Sequence, residues 1–197
     1  MNTQDILYIV GAGGHGRAVA EAALENGWEN IRFIDDSYQD GKQVDGWPVV
    51  GSTSHLPELI QPNDCAIVAI GNQHTRAALV QRLSELQASL TTIIHPRAYV
   101  SPSARLGSGV AIMAGAIVGA HAQVGQGCIV NANATVDHDA ILHDFAHLGV
   151  GTQLAGGVII ETMAWLQAGC AAGYHVVVKE GRVIPPGTAL LPVEALE

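Results

Sequence analysis

The chain is short of basic side chains: nine lysines and arginines stand against eighteen aspartates and glutamates, giving a formal net charge of −9 over 197 residues. A surface of that sign repels a phosphate backbone, which argues against nucleic acid as the main partner. Long apolar runs are also missing, and no stretch reaches the roughly 18 residues that a membrane span requires. The opening MNTQDILYIVGAGG lacks the cationic flank and cleavage site of a secretory leader, so a cytoplasmic location is expected. Cysteine is scarce and odd in number. Cys65, Cys128 and Cys170 lie far apart among small or apolar neighbours, and are expected to be reduced core thiols rather than disulfides or metal ligands.

What the second half lacks is helical periodicity. Up to about residue 95, strand-like and helix-like segments alternate: ILYIV, a helix from about His15 to Asn26, IRFID, a long loop through DSYQDGKQVDGWPVVG, CAIVAI, a helix over QHTRAALVQRLSELQ, and LTTII. This pattern predicts a short βαβ region with a parallel sheet. After HPRAYV a period of six takes over. Counted in hexads from Val100, the lead position is Ile, Leu or Val at fifteen of sixteen places, Ala172 being the exception. The fifth position is Ala, Cys, Thr or Val at fourteen of fifteen, Arg182 being the exception. An aliphatic residue fills a core while a small one fits inside a tight turn. Such a period marks a parallel β-helix, whose single coil cannot cover its own apolar face and needs stacked neighbours. Three hexads per coil give about five coils of eighteen residues. The expected division is therefore a Rossmann-like α/β unit over residues 1–95 and an all-β helix of hexapeptide repeats over 96–197.

Gly11, Gly13 and Gly16 make a G-x-G-x-x-G between the first strand and the first helix, where a helix N-terminus receives phosphates. Asp35 and Asp36 follow roughly twenty residues on, where a dehydrogenase carries its ribose ligand, so the motif alone allows NAD. Only about 95 residues precede the hexads, which is short for the two halves a dinucleotide needs and suits a mononucleotide better. Gly71 and Asn72 follow CAIVAI at the strand end where open α/β sheets bind ligands. Asn72 is equally well placed to cap the next helix, and Arg76 to be simply solvated.

Taken together, GAGGHG, FIDD, AIGN, the IIHP junction and the hexads resemble the sugar acyltransferases of the sialic acid O-acetyltransferase type. Among them the chain is most similar to bacterial UDP-4-amino-sugar N-acetyltransferases of the bacillosamine pathway. The resemblance runs from about Leu7 to about Leu190. It implies a left-handed helix, acetyl-CoA as co-substrate, a homotrimer, and a UDP-amino sugar held by Gly11, Gly13, Gly14, His15, Gly16, Asp35, Asp36, Gly71 and Asn72. It also implies His138 as catalytic base with Asp139 beside it, and His147 and Gly156 at acetyl-CoA.

The chemistry agrees with that implication. Transfer of an acetyl group from a thioester to an amine needs a base with a pKa near the working pH, and a neighbouring carboxylate fixes the tautomer and stabilises the imidazolium. Many family members have Glu where this chain has Asp139, so Asp137 is a second candidate for the orienting role. His147 lies nine residues on, and the eighteen-residue register puts Gly156 one coil on from His138. His121, His143 and His175 read as solvated. His138 and His143 also form H-x4-H, a spacing found in γ-class carbonic anhydrases, but the third ligand position falls on Pro102; no metal is expected. The ending IPPGTALLPVEALE departs from the family's usual closing segment. O-acetylation of a sialic-acid-like sugar and a non-catalytic nucleotide-binding role remain the alternatives.

Overall fold

The computed structural model describes residues 5–192; the last five residues of the divergent C-terminal segment lie outside the described residues. The first unit contains β1 (Ile6–Val10), α1 (Gly14–Glu25), β2 (Asn30–Ile34), β3 (Gln43–Val44), β4 (Trp47–Gly51), α2 (Leu56–Leu59), β5 (Cys65–Val68), α3 (Gln73–Glu85) and β6 (Ser89–Leu90). Its sheet runs β3-β4-β2-β1-β5-β6, parallel throughout except for β3. The central strand ILYIV is apolar from end to end because both faces are covered: Leu7, Ile9 and Val10 are fully buried. The chain leaves β1 toward β2 on one side and later adds β5 on the other. That reversal is a switch point at the carboxyl ends of β1 and β5, the place where open α/β sheets bind ligands, and Gly11 and Ala69–Gly71 lie there.

Two details differ from expectation. The stretch DSYQDGKQVDGWPVVG is not one long loop: β3 and β4 pair antiparallel across Asp45-Gly46, both with positive φ (50° and 89°). Asp-Gly is a hairpin signal, and it is the clue in the sequence that marks this turn. The single strand expected over LTTII is two. Ser89–Leu90 closes the first sheet, while Ile93–Ile94 pairs with Ala111–Ile112 and begins the helix, N-terminal to the boundary expected at 95/96.

From Ile93 the chain winds a left-handed parallel β-helix of two-residue strands on three faces. The first face stacks Ile93–Ile94, Ala111–Ile112, Ile129–Val130, His147–Leu148, Trp165–Leu166 and Val183–Ile184; the second runs from Tyr99–Val100 to Ala189–Leu190, the third from Arg105–Leu106 to Val177–Val178. Partners lie eighteen residues apart throughout, as Ala111 against Ile129 and Thr135 against Gln153. The lead residues of the hexads point inward with the small fifth-position residues: Val118, Val136, Leu148, Ala116, Ala134 and Ala146 are fully buried in one column. Each inward aliphatic side chain contributes about 1.5–3 kcal/mol by leaving water.

The outward side of the first face is apolar too, because the α/β unit covers it. Ile93, Ala111 and Met113 belong to the same buried cluster as Leu7, Ile9, Val19 and Phe33. Arg76 locks this contact. It is fully buried, and its guanidinium donates to four carbonyls: Nε to Gly127 (2.7 Å), Nη1 to Ile70 (2.8 Å) and Gly71 (2.9 Å), Nη2 to Phe145 (2.7 Å). Gly127 and Phe145 are coil turns, so one side chain from α3 binds both units. The expectation of a solvated Arg76 is therefore corrected: a planar five-donor fork suits several converging carbonyls, and burial lowers its pKa to about 10, leaving it charged at neutral pH.

Arg76→Met keeps the apolar stem but leaves those carbonyls unpaired. It should lower unfolding free energy by about 3–5 kcal/mol, read by urea denaturation; a loss under about 1 kcal/mol would show that water replaces the guanidinium.

Candidate active site

His138 stands on the turn that follows the strand Thr135–Val136. Asp139 adopts a left-handed conformation (φ 59°), which turns its carboxylate back onto the imidazole: Nδ1 and Asp139 Oδ2 are 2.8 Å apart. Asp137 Oδ1 accepts the His138 backbone N–H at 2.7 Å, and its Oδ2 lies 4.0 Å from Nε2. The hydrogen bond to Asp139, then the charge of Asp137, raise the His138 pKa above its ordinary 6.5. With Nδ1–H donating to a carboxylate, the neutral ring presents Nε2 as the basic nitrogen.

Gly156 lies beneath this ring, as the eighteen-residue register requires. A Cβ there would sit 2.4 Å from His138 Cε1 and 2.6 Å from Nε2, so only glycine leaves the imidazole its place. The His138 side chain is 54% exposed, and Asp139 is 64% exposed. His121, His143 and His175 are exposed as well. Among the described residues, no group of three His, Cys, Asp or Glu is arranged to hold a metal ion.

The glycine loop serves two different needs. Gly11 takes φ +106°, and a Cβ on Gly16 would sit 1.9 Å from the Gly11 carbonyl oxygen, so these two shape the turn. A Cβ on Gly13 or Gly14 would meet nothing within 4 Å. Gly13 has an ordinary φ of −76° and caps α1 without any side-chain hydrogen bond, so no side chain satisfies the first-turn N–H groups there. The backbone at Gly13 therefore makes no demand for glycine, and the space beside it is open.

Asp35 braces this loop, and Asp36 is engaged elsewhere. Ala12 N–H donates to Asp35 Oδ2 (2.8 Å), and the Ser37 N–H and hydroxyl donate to Oδ1. Partial burial works against ionisation, but the Ser37 hydroxyl and the two backbone N–H groups outweigh it and lower the Asp35 pKa. Asp36 Oδ1 accepts from the Thr53 N–H and hydroxyl at 2.9 and 2.7 Å. Asn72 caps α3, its Oδ1 accepting the Thr75 N–H at 2.9 Å. The oxygens expected to face a substrate are thus largely engaged within the fold.

His147 does not share the solvent with His138. It is 7% exposed on the outward side of the first face, where the α/β unit covers it. Its Nδ1 lies 3.2 Å from the Gly71 carbonyl, and its ring stacks on Trp165 one coil above, centroids 5.1 Å apart and planes 6° from parallel. Burial, then the Arg76 charge and His15, lower its pKa to about 3. Burial and Arg76 likewise hold His15 at about 4, and His15 Nε2 is shielded without a protein partner. A neutral ring whose Nδ1 faces a carbonyl carries its proton on Nδ1. His147 is therefore a hydrogen-bonding group at the switch point and unsuited to proton abstraction at neutral pH.

A glycine loop at a βαβ switch point, joined to a hexapeptide β-helix bearing a carboxylate-oriented histidine, defines the class as a hexapeptide acyltransferase. Residues 6–83 match the family of the PglD N-terminal domain. The structure superposes on a histidine-to-alanine mutant of GDP-perosamine N-acetyltransferase from Caulobacter crescentus, in complex with CoA and GDP-perosamine: TM-score 0.82, 34% identity, 96% of this chain and 95% of that one. The acetyltransferase domain of PglB from Neisseria gonorrhoeae gives TM-score 0.75 at 35% identity over 96% and 97% of the two chains. UDP-N-acetylbacillosamine N-acetyltransferase of Bacillus subtilis is 35% identical over 111 residues, which is 54% of this chain and 50% of that relative. The chain belongs to the sugar acyltransferases of the sialic acid O-acetyltransferase type, in the PglD-like group.

Two site residues gave no interpretable signal in the sequence. Arg76 lies in an amphipathic helix like any surface arginine, and Trp165 breaks no hexad rule. Two titrations check this description of the site. By NMR, His138 should titrate above 6.5 and fall toward it in Asp139→Asn, whereas His147 should stay neutral to below pH 5. In the unfolded chain His15 and His147 bind protons near 6.5, yet in the fold only near 4 and 3. The unfolded state thus holds more protons, and stability should fall as pH drops below about 6.5; equal urea midpoints at pH 7 and pH 5 would contradict it.

Proposed function

We propose that the chain is an acetyl-CoA-dependent N-acetyltransferase that acetylates the amine of a UDP-linked 4-amino-4,6-dideoxy sugar, by direct transfer with His138 as general base. The observation that carries this reading is the Asp139–His138 pair above a side-chain-free Gly156. The amine nitrogen attacks the thioester carbonyl as His138 Nε2 takes its proton; a C–N bond forms, the C–S bond breaks, and the imidazolium returns the proton to the departing CoA thiolate. Gly156 leaves the imidazole its place, and its N–H, unpaired with any backbone carbonyl among the described residues, is a candidate donor to the oxyanion. Direct transfer is favoured because Cys128 and Cys170 are fully buried in the coil core, and burial pushes the Cys128 thiol to about 12.

Binding divides between the units. The glycine loop and the N-terminus of α1, with Gly13 and Gly14 open, hold the diphosphate; Gly71, Asn72, His15, Asp35 and Asp36 border the nucleoside and sugar. Acetyl-CoA lies on the coils. The Caulobacter relative holds a GDP-sugar and the Bacillus relative is named for a UDP-sugar, so a substrate panel must carry both bases.

The working unit we infer is a homotrimer. His138 stands on an open surface in the single chain, whereas acyl transfer gains from a water-poor site. On the same side, Tyr99 (58%) and Ile117 (43%) leave apolar area exposed that a second copy would cover. Three free thiols and the absence of a membrane-spanning helix among the described residues accord with a cytoplasmic enzyme.

His138→Ala should lower kcat by about 10² to 10⁴ with little change in either KM. Because the catalytic form is the neutral ring and the His138 pKa is raised, kcat/KM should fall as pH drops through a value above 6.5; Asp139→Asn should move that limb to lower pH. Free-thiol release from a panel of UDP- and GDP-amino sugars and a sialic-acid-like acceptor decides the assignment. Turnover only on the hydroxyl acceptor would make it an O-acetyltransferase, and acetyl-CoA binding without turnover would make it a binding protein. Gly13→Val should fold normally, since nothing in the protein opposes its side chain. By calorimetry it should weaken UDP binding strongly and acetyl-CoA binding hardly at all; tight NADH binding without UDP binding would overturn the transferase.

A further inference from the structure

The buried side of the first face holds a pair that neither the sequence pattern nor the proposed catalytic step accounts for. His147 and Trp165 are strand partners eighteen residues apart, so their side chains leave the coil side by side on the same face. The rings are stacked almost parallel, 5.1 Å between centroids. Nδ1 of the imidazole faces the Gly71 carbonyl, which also accepts from the Arg76 guanidinium of α3 at 2.9 Å, and the charges of Arg76 and His15 act on the ring. Nε2 of His147 has no partner among the described residues. The Trp165 indole N–H is shielded and likewise lacks a protein acceptor. What Trp165 contributes within the fold is therefore its face and not its N–H.

An imidazole turns about its Cβ–Cγ bond, and once that turn carries Nδ1 off its acceptor the proton is free to sit on either nitrogen. A flat indole against it removes the rotation, and the fixed ring keeps its proton on the carbonyl side. The loop that supplies this carbonyl ends β5, and His15 begins α1. Both border the switch point where the proposed sugar nucleotide binds, so the fixed Nε2 belongs to that side of the site and not to the coil surface where acetyl-CoA was expected to meet it.

We propose that Trp165 is a positioning residue for the sugar nucleotide: its indole face fixes the plane of His147 so that Nδ1–H stays on Gly71 and Nε2 is held ready to accept a hydrogen bond from the sugar. The ligand half of this inference rests on the proposed acetyl transfer; the positioning half does not.

Two substitutions that keep apolar bulk separate face from N–H. Trp165→Phe retains an aromatic face without the N–H, and Trp165→Leu removes the face. With histidines labelled with nitrogen-15 in the intact chain without ligand, wild type and Trp165→Phe should show a neutral His147 with the proton on Nδ1 down to pH 5. Trp165→Leu should show the other tautomer or protonation between pH 5 and 7. In turnover, Trp165→Leu should raise KM for the amino-sugar nucleotide roughly tenfold, leaving kcat and the KM for acetyl-CoA within about twofold, with Trp165→Phe close to wild type. An unchanged His147 spectrum in Trp165→Leu, or a loss in Trp165→Phe as large as in Trp165→Leu, would overturn the proposal. Absence of turnover by the wild type on any nucleotide amino sugar would sink the acetyl-transfer reading instead, and the spectra would still decide the role of Trp165.

Discussion

One buried guanidinium sets the relation between the two halves of this molecule. Arg76 donates to Ile70 and Gly71 of the loop after β5 and to Gly127 and Phe145 of the coils. No carboxylate among the described residues neutralises it, so its charge is held by carbonyl dipoles alone. Such an arrangement tolerates little displacement, because each carbonyl that moves away leaves a buried cation poorly solvated. The position of the Gly71 carbonyl, and through it that of His147, follows from this constraint.

The same charge divides the histidines by function. Burial at the junction and the Arg76 charge hold His147 and His15 neutral, with pKa values of about 3 and 4. His138 lies outside, between Asp137 and Asp139 in solvent, and its pKa is raised. Identical side chains are thereby separated into buried groups that stay neutral and an exposed one, His138, which the proposed transfer uses as its base. The separation matters for acyl transfer, where a proton must leave the nucleophile at a single defined atom.

A β-helix supplies the precision this needs. Its eighteen-residue register fixes which residue lies above which, so His138 meets Gly156 and His147 meets Trp165 by arithmetic. The inward column of aliphatic leads and small fifth positions holds that register, because a slip of one residue would turn the apolar column outward. Where the α/β unit covers the first face, the outward residues Ile93, Ala111 and Ile129 are apolar as well. Both sides of one short strand are then packed, and the turn-borne residues at its corners inherit a rigid base.

The sequence by itself determined the architecture and half of the site. Hexad spacing is a repetitive, local pattern, so the coils, their register and the His138–Gly156 contact were legible from it. The alternation before residue 95 gave the α/β unit, though the Asp45-Gly46 hairpin passed as loop and LTTII as one strand, since two-residue strands carry almost no periodic signal. The glycine motif was legible as a turn, but not which of its glycines serve the turn and which leave room for a ligand; that depends on where Ile70, Ala69 and the Gly11 carbonyl lie. Only the tertiary structure decided the fate of Arg76, His15, His147 and Trp165. Their roles arise where a helix from one unit meets a coil from the other. Burial, charge and stacking there are set by residues some 50 to 70 positions away in the chain, as with Arg76 to Gly127 (51) and to Phe145 (69), and no local pattern records them.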